Sequence, residues 1–379
     1  MNYFLIKMKR FFKMTLLIII ISAGLIFLSG FLFIKISPQF GASKNEKLTE
    51  QALSSKHHNG GVFHNLEETV VMMEFKWSTL KDYFNKDGKF PAKSIPVEKL
   101  DIKVFNPGND SLPRFTWFGH SAILLELEGK NIFIDPMLGN VPAPLPFLGP
   151  KRFNPELPIT ADSIPHLDAV LISHDHYDHL DYKTIIKLKD KTSKFFVPLG
   201  VDAHLRNWGV DSNKIHVMDW WDSTSFEGID IIATPARHFS GRALNDRNTT
   251  LWCSFVIRTD KTNIFFSGDS GYGQHFKKIG KHYGPFDLCF MECGQYNEQW
   301  AQIHLMPEEI VTANEELGGG AIFPIHWGAF KLSLHGWKEP VDRLIESNGS
   351  NKHKILTPVI GETVDIHKPQ NYSRWWKDY

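Results

Sequence analysis

The chain of 379 residues is long enough for one large domain or two ordinary ones. Hydrophobic residues make up 42% of the chain and aromatic residues 13%, which is ample for a core. The formal net charge is zero, so no global field attracts phosphate backbones, and this disfavours a nucleic-acid partner. Three cysteines, an odd count, argue against a disulfide framework.

The first element in chain order is a predicted membrane anchor over residues 1–35. Residues 14–34 are uncharged and rich in Leu, Ile and Phe, and as a helix they cover the hydrocarbon core of ~30 Å. Four basic residues precede this run, which places the N-terminus in the cytoplasm and the main domain on the outer side. The alternative is a cleaved signal peptide, whose apolar core usually spans only about 7–15 residues.

Four further segments follow the anchor. The polar residues 36–61 predict a tether, and residues 62–104 predict an appended segment that packs on the main domain. The main domain is predicted over residues 105–368, with a C-terminal tail over residues 369–379. Near its start, an apolar loop over residues 141–148 either contacts an acyl chain or bilayer or packs over the core.

The densest group of potential metal ligands follows an apolar, strand-like run over residues 169–172. It reads His-x-His-x-Asp-His, and its candidate ligands are His174, His176, Asp178 and His179. A loop leaving a strand can direct these side chains to one point, whereas a helix cannot. Imidazole nitrogens and a carboxylate oxygen suit Zn²⁺. One ion cannot easily take all four from so tight a turn, so the run predicts two adjacent ions and hydrolytic chemistry.

Three later residues extend this set, and each follows a short strand-like run. They are His238, Asp269 and His326. Their order and spacing resemble the metallo-β-lactamase superfamily, which has an α/β fold, a four-layered αββα sandwich, and a dinuclear metal site. The N-terminal transmembrane helix would be an addition to that fold.

The resemblance also implies how two Zn²⁺ ions per chain are shared among the seven ligands. One metal would be held by His174, His176 and His238. The other would be held by Asp178, His179 and His326. Asp269 would bridge the two metals.

Several stretches are more specifically similar to the N-acylphosphatidylethanolamine phospholipase D family and its bacterial relatives. These are residues 117–121, 236–238, 251–252, 268–272, 283–288 and 325–330. The resemblance implies a zinc-dependent phosphodiesterase of phospholipase D type, with a lipid or small-molecule phosphodiester as its substrate. With N-acylphosphatidylethanolamine or a related lipid, hydrolysis would release phosphatidic acid and, from the first of these, an N-acylethanolamine. One alternative is a lactonase or another small-ester metallohydrolase. A non-enzymatic alternative is a membrane-tethered binding protein, which the intact set of ligands disfavours.

The same resemblance assigns catalytic roles to Asp178, Asp269 and His304. Besides binding metal, Asp178 would orient the nucleophile, while His304 would steady a phosphate oxygen or protonate the leaving group. The chain departs from the family at Met306, where Asp or Asn is more usual, and a structural His304 is the alternative. His120 either contacts the site or makes a structural hydrogen bond. The sequence predicts no oligomeric state.

Overall fold

The computed structural model describes residues 2–71, 77, 79, 85, 87–105, 113–147 and 149–379. It separates into two compact units, the first ending at Phe40 and the second spanning Gly41–Tyr379. The first unit contains helix α1, Asn2–Ile36. By length and composition this helix can cross a membrane, a test that an N-terminal signal sequence also passes.

The second unit contains a seven-stranded sheet. Its strands are β3 Arg114–Trp117, β4 Ile123–Leu127, β5 Lys130–Ile134, β6 Leu167–Leu171, β7 Thr192–Pro198, β8 Ile215–Met218 and β15 Thr363–Asp365. Their order in the sheet is β15-β3-β4-β5-β6-β7-β8. Pairing is antiparallel from β15 to β5 and parallel from β5 to β8.

A six-stranded sheet supplies the other half of the sandwich. Its strands are β9 Ser223–Phe226, β10 Ile229–Thr234, β11 Ser254–Arg258, β12 Asn263–Phe266, β13 Phe286–Glu292 and β14 Gly319–Ile325. Their order is β14-β13-β12-β11-β10-β9. Pairing is antiparallel from β9 to β12 and parallel from β12 to β14. A small hairpin of β1, His58–Asn59, and β2, Val62–Phe63, lies outside both sheets.

Helices cover the outer faces of both sheets. They are α4 Tyr182–Leu188 and α5 Val201–Asn207 on the seven-stranded sheet, and α6 His275–Tyr283, α7 Pro307–Leu317 and α8 Glu339–Ser347 on the six-stranded sheet. Successive strand residues enter different cores, as the period of two requires. Ile123 and Leu125 lie in the core shared by the two sheets, whereas Leu124 packs in the core that contains α4 and α5. The result is an αββα arrangement.

Backbone pairing joins the two sheets at the ends of β3 and β14. The Trp327 carbonyl accepts a hydrogen bond from His120 N at 2.8 Å, and the His120 carbonyl accepts one from His326 N at 3.1 Å. The rings of Trp117 and Trp327 stack with their centroids 5.4 Å apart. The carboxyl ends of strands from both sheets therefore meet at one edge of the sandwich.

Residues 41–61 differ from the expected flexible tether. They include helices α2, Lys44–Lys47, and α3, Glu50–Ser54. Lys47 and Ala52 are completely buried. The polar composition suggested a tether, but it did not show that Lys47 has a buried ion partner in Asp246 at 2.7 Å.

The predicted C-terminal tail, residues 369–379, contains Trp375 and Trp376, which belong to the core shared by the two sheets. The Trp375 ring stacks on Trp327 with a centroid distance of 5.8 Å. In the predicted appended segment, Ile95 is buried in the same core, while part of residues 62–104 lies outside the described residues. The boundaries at 104 and 368 stay predictions.

Candidate metal centre

The run of candidate ligands forms a tight loop between β6 and α4, here called the metal loop, residues 173–180. Its first residue, Ser173, donates its backbone N–H and its hydroxyl to the carboxylate of Asp135 at 2.7 Å and 2.6 Å. At the other end, Asp181 caps α4 by accepting a hydrogen bond from Thr184 N at 2.9 Å. Helix α4 begins directly after this cap, at Tyr182. The loop is fixed at both ends.

Four predicted ligands form a first group in which one ligand atom from each lies within 4.8 Å of the others: His174, His176, His238 and Asp269. The Nδ1 atom of His176 lies 2.9 Å from His174 Nε2 and 3.2 Å from His238 Nε2. Asp269 Oδ2 lies 3.8 Å from His174 Nε2 and 3.7 Å from His238 Nε2. The donor atoms therefore converge on one point.

A second group contains His120, Asp178, His179 and His326. Asp178 Oδ2 lies 3.2 Å from His326 Nε2 and 3.6 Å from His179 Nε2. Asp269 reaches this group too, with Oδ1 3.1 Å from His179 Nε2 and Oδ2 3.2 Å from His326 Nε2. The structure thus brings all seven predicted ligands together, and Asp269 contacts both groups.

His120 was left open by the sequence, and its Nε2 atom lies 2.8 Å from Asp178 Oδ2. Burial and the neighbouring His326 lower the pKa of His120 to about 3, despite the hydrogen bond to Asp178. A neutral imidazole can still donate one hydrogen bond to a carboxylate. His120 therefore contacts the site by holding Asp178 in place.

The chemistry of the donor atoms fits a bound cation. His238 Nδ1 faces the Ile303 carbonyl at 2.8 Å and His179 Nδ1 faces Asp135 at 2.7 Å, so both Nδ1 atoms donate. Their Nε2 atoms then present lone pairs to the centre. Among the described residues, the buried atoms His179 Nε2 and Asp269 Oδ1 have no hydrogen-bond partner. Lone pairs that face one another in this way fit a positive charge between them, which a proton or a bound metal ion supplies.

Electrostatics lead to the same conclusion. Burial raises the pKa of Asp269, but the surrounding histidines outweigh burial and hold it well below its ordinary value. For His326, burial lowers the pKa, but Asp269 and hydrogen bonds to Asp178 and Glu292 raise it to about 10. Burial and neighbouring histidines hold the pKa of His174 well below its usual value. The ionised carboxylates need positive charge, which protons or a bound metal can supply.

Two buried carboxylates that sequence reasoning did not assign orient the site. Asp135 accepts from His179 Nδ1 at 2.7 Å. Glu292 Oε1 lies 3.0 Å from His326 Nδ1 and also contacts His304 Nδ1, while Oε2 accepts from Ser270 N at 2.5 Å. Metal-binding histidines commonly hold such partners through their second nitrogen. The available sequence signal was an acidic residue at a strand end: Asp135 follows β5, and Glu292 is the last residue of β13.

Three residues of the site have positive backbone φ angles, which non-glycine residues rarely adopt. The φ angles are 56° for His120, 42° for Asp135 and 68° for His326. Conformations of this kind cost about 1–3 kcal/mol each. All three residues follow strand ends, and the unusual turns direct their side chains toward the centre.

The two ligand groups open into a cavity of about 290 Å³. Its polar lining includes His176, Asp178, Asp269, His304 and His326, and its apolar lining consists of Val71, Phe239, Trp300, Ile303 and Leu332. The His304 ring stacks on His326 with centroids 5.5 Å apart. A substrate in this cavity would meet the ligand groups on one side and apolar walls on the other.

A family model described as a β-lactamase superfamily domain matches residues 130–327 of the chain. The chain belongs to the metallo-β-lactamase superfamily. The predicted fold is confirmed, and the chain is a metal-dependent hydrolase of this superfamily. Divalent metal binding follows from the fold together with the two ligand groups.

Several known proteins are similar to this chain in sequence or in structure. An uncharacterized Mycobacterium tuberculosis protein is 38% identical over 85% of this chain and 88% of its own length. The N-acyl-phosphatidylethanolamine-hydrolyzing phospholipase D 1 of Caenorhabditis elegans is 33% identical over 78% of this chain and 89% of its own length. An isothiocyanate hydrolase from Delia radicum gut bacteria matches 66% of this chain and 98% of its own chain, with a TM-score of 0.53 and 23% identity. That last likeness concerns the fold alone.

Proposed function

We propose that this metallo-β-lactamase superfamily hydrolase is a phosphodiesterase of phospholipase D type, acting on N-acylphosphatidylethanolamine or a related lipid. The observation that carries the proposal is the Glu292–His304 pair, which places an oriented imidazole beside both ligand groups in a cavity with apolar walls. The similarity over 78% of the chain to the C. elegans enzyme named for this substrate supports the same assignment.

We assign the metals as two Zn²⁺ ions. His174, His176 and His238 would hold one ion, and Asp178, His179 and His326 the other, with Asp269 between them. The convergence of imidazole nitrogens with few carboxylate oxygens supports zinc over harder cations such as Mg²⁺. Bound at this position, the ions would supply Lewis-acid chemistry that makes water nucleophilic near neutral pH and polarises the phosphoryl group.

Asp178 would orient the attacking water, and His304 would contact the substrate. Although burial opposes it, His179 and hydrogen bonds from His120 and His326 keep the pKa of Asp178 well below its ordinary value. The ionised carboxylate accepts a hydrogen bond from the attacking water and orients it. His304 donates from Nδ1 to Glu292, which leaves Nε2 for the substrate.

The bond changes follow from this placement. The water oxygen forms a bond to phosphorus, and the bond between phosphorus and the distal alcohol oxygen breaks. In its imidazolium form His304 donates from Nδ1 to Glu292 and from Nε2 to the substrate, where Nε2–H steadies a phosphate oxygen or passes its proton to the departing alkoxide and leaves a neutral ring. Phosphatidic acid and N-acylethanolamine are the products expected from this cleavage.

The apolar lining supports a lipid over a small soluble ester. Phe239, Trp300 and Leu332 form walls that can contact an acyl chain while the phosphodiester lies against the ligands. In the apolar loop over residues 141–148, Phe147 is 79% exposed, and Leu148 lies outside the described residues. An exposed phenylalanine in a Pro-rich apolar loop of the catalytic unit supports contact with lipid.

A panel of substrates at equal enzyme concentration tests the proposed function. The full chain in detergent micelles receives N-acylphosphatidylethanolamine, a lactone and a β-lactam, and the measured product is phosphatidic acid or ring-opened acid. We expect the phospholipid to be cleaved fastest, and Asp178→Asn to lose that activity. Lactone turnover without release of phosphatidic acid would show the chain to be a lactonase instead.

We further propose that helix α1 is an uncleaved single-pass anchor with the catalytic unit on the outer side of the membrane. The four basic residues before the apolar run and the length of that run support this orientation. Protease added to intact cells should digest the catalytic unit only after the outer barriers are opened. Full protection of that unit in osmotically shocked cells would place it in the cytoplasm.

A further inference from the structure

Residues 41–47, which follow helix α1 in the sequence, make buried contacts with the surroundings of the metal loop. Lys47 is completely buried, and its Nζ lies 2.7 Å from Asp246 Oδ2. Asp246 Oδ1 accepts backbone hydrogen bonds from Arg242 at 3.1 Å and Ala243 at 2.8 Å. A buried ammonium group is costly without a partner. Lys47 and Asp246 therefore depend on each other for charge balance.

The loop shaped by Asp246, residues 241–246, holds the metal loop directly. Gly241 N donates to Asp175 Oδ1 at 2.8 Å. Arg242 Nη1 donates to the carbonyl of Asp175 at 2.5 Å and to that of Leu180 at 2.8 Å. Lys47 is thus connected through the Asp246 carboxylate to two positions of the metal loop, Asp175 and Leu180.

A second connection runs through His204. Ala42 N donates to His204 Nδ1 at 3.0 Å, so the ring proton lies on Nε2, 3.3 Å from Asp175 Oδ2. Gly41 makes this contact possible, because it has a φ of +73° and a Cβ there would lie 1.9 Å from His204 Nδ1. Asp175 stands between the ligands His174 and His176 in the sequence.

We propose that residues 41–47 are a positioning element for the metal loop, acting through Asp246 and His204 on Asp175. Asp175 is buried and accepts from both branches, so it fixes the backbone that carries His174 and His176. Groups that orient metal ligands typically change metal affinity about 10- to 100-fold when removed. The proposal rests on the metal assignment made above.

The test uses the full chain loaded with Zn²⁺ or Co²⁺. Lys47→Met removes the charge, and Lys44→Met is the matched control because Lys44 is exposed and three residues away. We expect transfer of Zn²⁺ to a competing chelator to accelerate about tenfold or more in Lys47→Met. We also expect the Co²⁺ absorption bands to shift. Lys44→Met should match the wild type in both measurements.

Two further variants separate positioning from general stability. In the Asp246→Asn background, Lys47→Met should no longer accelerate transfer, because no unpaired carboxylate remains. Gly41→Ala disturbs the His204 branch without burying a charge, and should also accelerate transfer even if Lys47→Met does not fold. Wild-type transfer rates and Co²⁺ bands in both Lys47→Met and Gly41→Ala would overturn the positioning role. A wild-type chain that binds neither ion would instead overturn the metal assignment.

Discussion

Replacing Glu292 with glutamine is the sharpest test of how the site is organised. Glu292 is completely buried and receives three donors on its two oxygens: His326 Nδ1 at 3.0 Å, His304 Nδ1, and Ser270 N at 2.5 Å. An amide offers only one acceptor oxygen. In one orientation its NH₂ group faces both imidazole N–H groups, and in the other it faces Ser270 N–H.

At least one charge-assisted hydrogen bond is therefore lost in Glu292→Gln. Such bonds contribute about 1.5–3 kcal/mol each. If that energy holds His304 and His326 for the transition state, kcat/KM should fall roughly 10- to 150-fold. The overall fold should remain, because glutamine has nearly the same volume as glutamate.

The assay is initial-rate hydrolysis of bis(p-nitrophenyl) phosphate by metal-reconstituted protein, with metal content measured on the same samples. Glu346→Gln is the matched control, since Glu346 is exposed on α8. A kcat/KM for Glu292→Gln within about twofold of wild type, the range expected for a surface substitution, would refute the reasoning.

Three further predictions concern the metals and pH. Asp178→Asn should lower turnover by about 10²-fold or more with near-UV circular dichroism unchanged, because it removes the charge that orients water. Exhaustive chelation should abolish activity, Zn²⁺ should restore it, and elemental analysis should find two ions per chain. Burial, with Arg237 and Lys278, lowers the pKa of His275 to about 3. As the pH falls, His275 is therefore protonated in the unfolded chain before it is protonated in the folded chain. The free energy of unfolding should fall by up to ~1.4 kcal/mol per pH unit as the pH drops from about 6.5 to 3. Urea unfolding at several pH values should show a shallower slope for His275→Gln.

Each of these predictions has a result that contradicts it. Near-normal turnover by metal-replete Asp178→Asn protein would remove Asp178 from its role. Activity that survives chelation, in protein shown to contain no metal, would contradict metal dependence. Equal slopes of unfolding free energy against pH in wild type and His275→Gln would show that His275 does not keep its low pKa in solution.

The metal loop could be predicted because its information is local. Four ligands follow one strand within six residues, and Asp181 begins the next helix, so a short stretch determines both the turn and its contents. The later candidate ligands His238, Asp269 and His326 could be proposed because each follows a recognisable strand. Strand ends that share a direction meet at one edge of a sheet, which made their convergence predictable.

Contacts between segments that are distant in the sequence could not be predicted from the sequence. The pair of Lys47 and Asp246 is separated by 199 positions, and nothing in the polar run around Lys47 distinguishes a buried ammonium from a solvated one. The role of Glu292 could not be predicted for the same reason, because its hydrogen-bond partners lie on other strands and loops. Trp375 and Trp376 showed hydrophobic character, but their position near the C-terminus suggested a tail. Burial of these residues depends on tertiary packing.

The candidate ligands are divided between the two sheets, so the complete metal site can form only late in synthesis of the chain. Asp178 and His326 are 148 positions apart, so a ribosome must release nearly the whole catalytic unit before the second group is complete. Each bound ion would then cross-link segments from the two sheets and add about 2.7 kcal/mol of stability when free metal is 100 times its Kd. The compartment in which the chain finishes folding therefore determines which metals compete for the site.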